Sequence, residues 1–296
     1  MIRDAVNGFF MAMADSVPGV SGGTVAFILG FYDKFIGSIN GLVFGPKKER
    51  KEGFHYLIRL AIGWVIGMAM AVVALNALFE QHIYAVSSLF IGFIVGAIPV
   101  VMSEEKDSVR AFKKGLPFLF IGGAIVVAVT YLNAHIGTSA LDLADFSAGI
   151  GIRLFFSGMA AVSAMFLPGI SGSTILLVLG AYMPVMTALR GLLSMETAYV
   201  PALLCFILGI LAGAASVVKL IQYGLEHYRP QMIYLILGMM IASLYSVVMG
   251  PTTLSAANAP LSLASFNIIA CLVGVAFIVL LQLYKKHLAA AEKAQA

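Results

Sequence analysis

Runs of apolar residues divided by short charged stretches set the plan of this chain. The runs at 56–79, 84–102, 115–133, 199–222, 231–249 and 266–284 each approach the roughly 20 residues that a bilayer core demands of a helix. Two further apolar regions are interrupted. Residues 5–16 form an arm too short to cross, and 24–42 form a second arm that carries Asp33 and Lys34. Between them stands Pro18-Gly19-Val20-Ser21-Gly22-Gly23-Thr24. Proline lacks an N–H donor and disfavours a helical residue before it, so the helix breaks there. Arms at 150–166 and 174–190 flank Pro168-Gly169-Ile170-Ser171-Gly172-Ser173-Thr174 in the same way. Each pair of arms predicts a broken hairpin that enters the membrane and returns. Non-helical backbone at that depth is tolerated only inside protein or beside a water-filled cavity.

The two broken stretches are copies. They lie 150 positions apart, and ten of the 25 positions from 18 to 42 are identical to their partners. The match extends backward, where Ile2-Arg3 and Gly8 pair with Ile152-Arg153 and Gly158, and forward at an offset of 146. There Gly63, Gly67, Glu80 and Gly92 pair with Gly209, Gly213, Glu226 and Gly238. A fixed-offset repeat means one structural unit used twice. The chain is expected to be an all-α integral membrane protein with a first repeat at 1–133, an extracytoplasmic linker at 134–149, a second repeat at 150–284 and a tail at 285–296.

Composition agrees. Of 296 residues, 61% are hydrophobic and 11% charged, against roughly 25% charged in soluble domains; mean hydropathy is +0.99. The net charge of +4 reports which loops face the cytoplasm, and no nucleic-acid motif accompanies it. If the basic loop at 43–55 is cytoplasmic, then 80–83 is outside, 103–114 inside, 134–149 outside, 224–230 inside, 250–265 outside and the tail inside. Fifteen of the 18 Lys and Arg residues then fall in or beside cytoplasmic segments. The exceptions are Lys34, Arg153 and Arg190, all within hairpins. An odd number of spans, three, separates the hairpins, so the repeats insert upside down relative to each other. That is the inverted-topology plan of many secondary transporters, with the site near the midplane. The run at 5–14 resembles a signal peptide, but its residues have partners in the second copy, so it is expected to be retained. Cys205 and Cys271 lie within apolar runs, and the five histidines show no ligand spacing. No metal or other cofactor is indicated, and nothing specifies an oligomer.

A helix that begins inside a membrane presents unpaired N–H groups and about half a positive charge. Small residues let an anion approach that end. The candidate anion site therefore comprises Ser21, Gly22, Gly23 and Thr24 with Ser171, Gly172, Ser173 and Thr174, at breaks made by Pro18-Gly19 and Pro168-Gly169. Small residues also serve simply to pack membrane helices closely. Arg3 and Arg153 stand at equivalent places, one at the mouth of each hairpin, where each could pair with a phosphate or reach to lipid headgroups. Asp15 precedes the first break, and its partner position holds Met165. A carboxylate at membrane depth is a functional candidate, as a proton or cation carrier or as a cap on backbone donors. Asp33 and Lys34 are expected to pair with each other or to reach the interface. Glu80 and Glu226 read as solvated turn residues.

With both Pro-Gly/Ser-Gly motifs in view, the chain resembles the bacterial PopT family of polyprenyl-phosphate transporters over nearly its whole length. The resemblance implies return of undecaprenyl phosphate from the outer to the inner leaflet of the cytoplasmic membrane for envelope synthesis. Its partner would be the lipid; Asp15 is the residue that could couple its movement to a proton or cation, and with no His-plus-Arg phosphatase constellation, paired carboxylates or metal motif in the spans, a membrane enzyme such as a lipid phosphatase is not expected. The residues alone give an anion transporter, and a channel or symporter for a small anion or other solute remains the alternative. Ser173 for Gly23 and Met165 for Asp15 depart from strict two-fold equivalence.

Overall fold

The computed structural model describes residues 2–15, 21–135, 143, 146–193, 195–253 and 259–295, with side chains other than those of 72–81, 133–135, 183, 190, 193, 253, 281 and 284–295. The described residues are helical and contain no strand. In order they form α1 (Ile2–Asp15), α2 (Gly22–Ile28), α3 (Tyr32–Phe44), α4 (Lys47–Glu104), α5 (Lys106–Arg110), α6 (Phe112–His135), α7 (Ala148–Phe166), α8 (Gly172–Val178), α9 (Tyr182–Leu193), α10 (Val200–His227), α11 (Arg229–Met249) and α12 (Ile268–Gln295). Short 3-10 turns precede α10 and follow α11. Pro18, Gly19, Asp142 and Asp145 lie outside the described residues, as do the side chains of Glu80, Arg190, Lys285 and Lys286.

Among the described residues, six helical stretches are long and apolar enough to cross a membrane: Lys47–Ala71, His82–Glu104, Phe112–Leu132, Ala148–Phe166, Thr197–His227 and Arg229–Thr252. Many of their large side chains face outward, among them Ile62, Val65 and Ile66 of α4 and Leu204, Leu208 and Leu211 of α10. An apolar exterior of this extent is stable only against lipid. The chain is thus an all-α, multi-pass membrane protein. Three features differ from the expected boundaries. The turn at 80–83 reduces to one non-helical residue, His82 (φ −136°, ψ 34°), inside α4; no glycine or proline there stops the helical ladder. The arm α7 is itself long enough to cross. The last helix continues through the expected tail.

The corners after the breaks are built alike. At the end of α2, Gly30 N–H donates to Phe27 O and Phe31 N–H to Ala26 O; at the end of α8, Gly180 and Ala181 donate to Leu177 and Leu176. These bond pairs close a Schellman motif. It requires the left-handed backbone seen at Gly30 (φ +70°) and Gly180 (φ +67°), where a Cβ would be strained. The first corner turns α2 into α3 by 119°.

Helix seams also recur at constant offsets. In the α1–α4 seam, Gly8 faces Leu60 and Gly63 faces Ala5; in the α7–α10 seam, Gly158 faces Phe206 and Gly209 faces Phe155. A Cβ at any of these glycines would overlap backbone atoms of the opposite helix. Two more seams match. In α4–α12, Gly92 faces Cys271 and Gly274 faces Leu89; in α6–α11, Gly238 faces Leu119 and Gly122 faces Leu235. So α12 packs on α4 and α6 packs on α11: the third span of each half lies against the second span of the other. A central core joins the halves through Phe27, Tyr32, Phe35, Ile36, Ile233, Ile236 and Met240.

Candidate functional site

The two broken stretches meet. Ser21 is the N-cap of α2, extended at φ −125° and ψ 151°, and its Oγ accepts from Thr24 N–H. From the second break, Gly169 N–H donates to Thr24 Oγ1 at 2.8 Å and to Ser21 Oγ at 3.2 Å. Ser21 Oγ donates in turn to Leu167 O at 3.2 Å, and Tyr32 OH donates to Phe166 O at 2.7 Å. Ser21 and Thr24 are fully buried. The first break thus satisfies the backbone that the end of α7 leaves unpaired. Gly169 has φ +91° and lies against the backbone of Met239, while Gly23 lies against the carbonyls of Met165 and Phe166. Gly169 requires glycine for both its backbone angle and its close approach, and a side chain at Gly23 would fit only if those carbonyls gave way slightly.

The helix starts share geometry but differ in chemistry. Asp15 Oδ1 accepts from Gly22 N–H at 2.6 Å, and Oδ2 accepts from Trp64 Nε1 at 3.0 Å. Of the roles open to Asp15, capping of backbone donors is the one its contacts display. A Cβ on Gly22 would meet this carboxylate, and a Cβ on Gly172 would meet the Met165 side chain. Met165 therefore stands at α8 where Asp15 stands at α2, with a thioether in place of the charge. Ser171 makes no side-chain cap on α8; its Oγ contacts Ser173 Oγ at 2.6 Å. Among the described residues, the N–H groups of Gly172, Ser173 and Thr174 have no hydrogen-bond partner.

The arginines are not drawn to the breaks. Arg3 is exposed, twelve residues before Asp15 in one unbroken helix, or about 18 Å along its axis. Arg153 is similarly remote along α7; its Nη2 donates to Leu179 O at 2.9 Å, a cation placed at the C-terminal end of α8. Asp33 and Lys34 do not pair with each other. Arg229 donates to both oxygens of Glu105 and to Asp33 Oδ2 at 3.0 Å. Lys34 reaches Asp4 at 3.4 Å and sits over the Tyr56 ring. The opposite charges lie on α1 and α11, beyond what sequence proximity indicates.

Sequence reasoning missed Trp64 and Tyr32 as members of the site. A signal for Trp64 existed. It is the chain's single tryptophan, and its partner 146 positions later is Ile210. Asp15 and Trp64 thus depart from the repeat together, as a bonded pair replaced by Met165 and Ile210. No group of three or more His, Cys, Asp or Glu side chains fit to hold a metal occurs among the described residues.

The chain is similar to a polyprenyl-phosphate transporter of Staphylococcus aureus, 34% identical over 251 residues that cover 84% of this chain and 86% of that protein. It is 30% identical over 263 residues to a polyprenyl-phosphate transporter of Vibrio cholerae, covering 84% and 78% of the two chains. No solved structure matches it. A family model described as undecaprenyl phosphate translocase-like matches residues 11–265, a stretch that contains both breaks, the α7–α10 and α6–α11 seams in full, parts of the α1–α4 and α4–α12 seams, and the Asp15–Trp64 pair. The chain belongs to the undecaprenyl phosphate translocase-like family.

Proposed function

We propose that this protein carries polyprenyl phosphate across the bacterial cytoplasmic membrane, from the outer to the inner leaflet, by alternating access of two inverted halves. The observation that carries the reading is the direct bonding of the two breaks, Gly169 N–H on the Ser21 and Thr24 hydroxyls. It puts the Ser21 and Thr24 hydroxyls of the first half beside the second break, whose α8 start keeps unpaired N–H groups, and this supports a shared anion site. The matched seams support a two-fold relation between the halves, and the basic loops support cytoplasmic termini. In this reading each broken stretch is a re-entrant hairpin, and the reaction is transport with no bond made or broken.

A phosphate monoester carries about −1.5 to −2 charges. Arg3 and Arg153 meet it at the hairpin mouths. Ser171, Gly172, Ser173 and Thr174 receive it at α8, where no carboxylate stands. At α2 the phosphate competes with Asp15 for Gly22 N–H. A proton or cation that neutralises Asp15 weakens this competitor, which couples its movement to that of the lipid.

The test is lipid return in proteoliposomes holding the full chain. Ser171→Leu fills the open helix start and is expected to lower return of polyprenyl phosphate at least about tenfold, one decade being about 1.4 kcal/mol. Return at the unaltered rate would overturn the site. Uptake of a soluble phosphate monoester without any lipid return would favour the small-anion reading.

A further inference from the structure

A groove of about 600 Å³ opens beside the first break, between α1, α4 and α12. That volume lies within the range of roughly 300–1,000 Å³ typical of ligand cavities. Phe9, Phe10, Phe90, Phe93 and Phe277 line it, and their rings touch in series. Phe9–Phe10, Phe10–Phe277, Phe277–Phe93 and Phe93–Phe90 have centroids 5.2 to 5.7 Å apart. His82, where α4 leaves helical geometry, lies at one end of its α4 wall and Phe93 at the other, about 16 Å apart along the helix.

We propose that this groove binds the first isoprene units of the substrate's tail while the phosphate occupies the breaks. The inference rests on the transport reading above and adds a second subsite to it. Three observations fix the occupant. First, the groove shares its wall with the anion site. Val25 lines it, and Val25 N–H bonds Ser21 O at the start of α2; Ala14, on the other side, precedes Asp15. Headgroup and tail contacts therefore fall on adjacent residues of α2, Thr24 and Val25. Second, apart from His82, every described side chain on the wall is apolar, which suits an occupant with no polar group along this length. An isoprene unit adds four carbons to the chain, about 5 Å at ordinary bond lengths, and about three units fill the α4 wall. Third, among the described residues the groove has no copy at the corresponding place on α7 and α8. The equivalents of Phe9, Phe10, Met13 and Leu29 are Met159, Ala160, Ser163 and Leu179. These line a separate cavity of about 400 Å³ whose wall includes Ser157 and Arg153. Equivalent positions thus line a cavity with Arg153, Ser157 and Ser163 on its wall at the second hairpin and a phenylalanine-lined groove at the first.

The experiment measures binding to the full chain in lipid nanodiscs with two probes. One is a long-chain polyprenyl phosphate. The other is isopentenyl phosphate, which has the head and a single unit. Val86→Trp and Val273→Trp each fill the groove; Val273 is half exposed, so the larger ring is accommodated without disturbing the core. Ile62→Trp, on the outward face of α4, is the control. Both groove variants are expected to weaken the long lipid about tenfold or more while leaving isopentenyl phosphate unchanged, and the control to alter neither. Equal binding of the long lipid by the unaltered chain and both fillers would overturn the groove, as would parallel loss of both probes. Competition by phosphatidic acid as effective as by polyprenyl phosphate would mark ordinary bilayer lipid in the groove and also overturn it. Absence of saturable binding of either probe to the unaltered chain would instead overturn the transport reading itself.

Discussion

Trp64 gives its indole N–H to a carboxylate that already holds Gly22 N–H. These bonds are the described partners of a half-buried carboxylate. Removing one partner of a buried charged group costs about 1–3 kcal/mol, whereas removing both sides for apolar residues is close to neutral. Trp64→Phe is therefore expected to destabilise the protein by about that amount, with a further loss from reduced volume. Adding Asp15→Met, which writes the second half's residue into the first, is expected to recover most of it. Thermal unfolding of the two single variants and the double variant measures the coupling, and additive losses would refute it. This pair also marks how far the site could be read from the chain alone. Ser21, Thr24 and Gly169 were legible because proline, glycine and hydroxyl residues at a break have local meaning. Their mutual bonds were not, since a donor at 169 and an acceptor at 24 share no local pattern.

At the level of helices, glycines do two different jobs. Gly63 and Gly209 sit where a Cβ would overlap the facing backbone, whereas Gly37 in α3 has nothing within 4 Å of that position. Gly63→Ala is expected to lower stability by about 1–3 kcal/mol or more through overpacking. Gly37→Ala is expected to raise it by up to about 1 kcal/mol, because alanine favours helix. Denaturation of the purified protein separates the two, and equal responses would show that the seams yield more readily than their geometry implies. The offsets of 150 and 146 made the α1–α4 and α7–α10 seams foreseeable as glycine-bearing elements. The exchange of third spans, α6 onto α11 and α12 onto α4, was hidden, because hydropathy reports only that a helix is apolar. The break at 80–83 was legible from its polar residues between two apolar runs, but its reduction to His82 alone was not, since nothing in the sequence says how few residues the turn needs.

For the molecule as a whole, orientation is the property on which the transport reading depends. With Cys205 and Cys271 replaced by alanine, Lys48→Cys is expected to react with a membrane-impermeant thiol reagent only from the cytoplasmic side. Leu263→Cys, at a position 98% exposed, is expected to react only from the opposite side. Labelling of both from one side would overturn the inverted arrangement. The junction between halves includes charge as well as core: Arg229 of α11 ties Glu105 to Asp33 of α3, so any rocking of the halves strains or opens these pairs. The Asp15–Met165 difference reaches furthest. A pair of identical subunits built on either half would offer two carboxylates or none, and an incoming headgroup would find both ends of its path alike. In the transport reading, fusing unlike halves in one polypeptide makes the two ends of the route chemically distinct, a carboxylate at one and a thioether at the other, so that a gradient of protons or cations has one end on which to act.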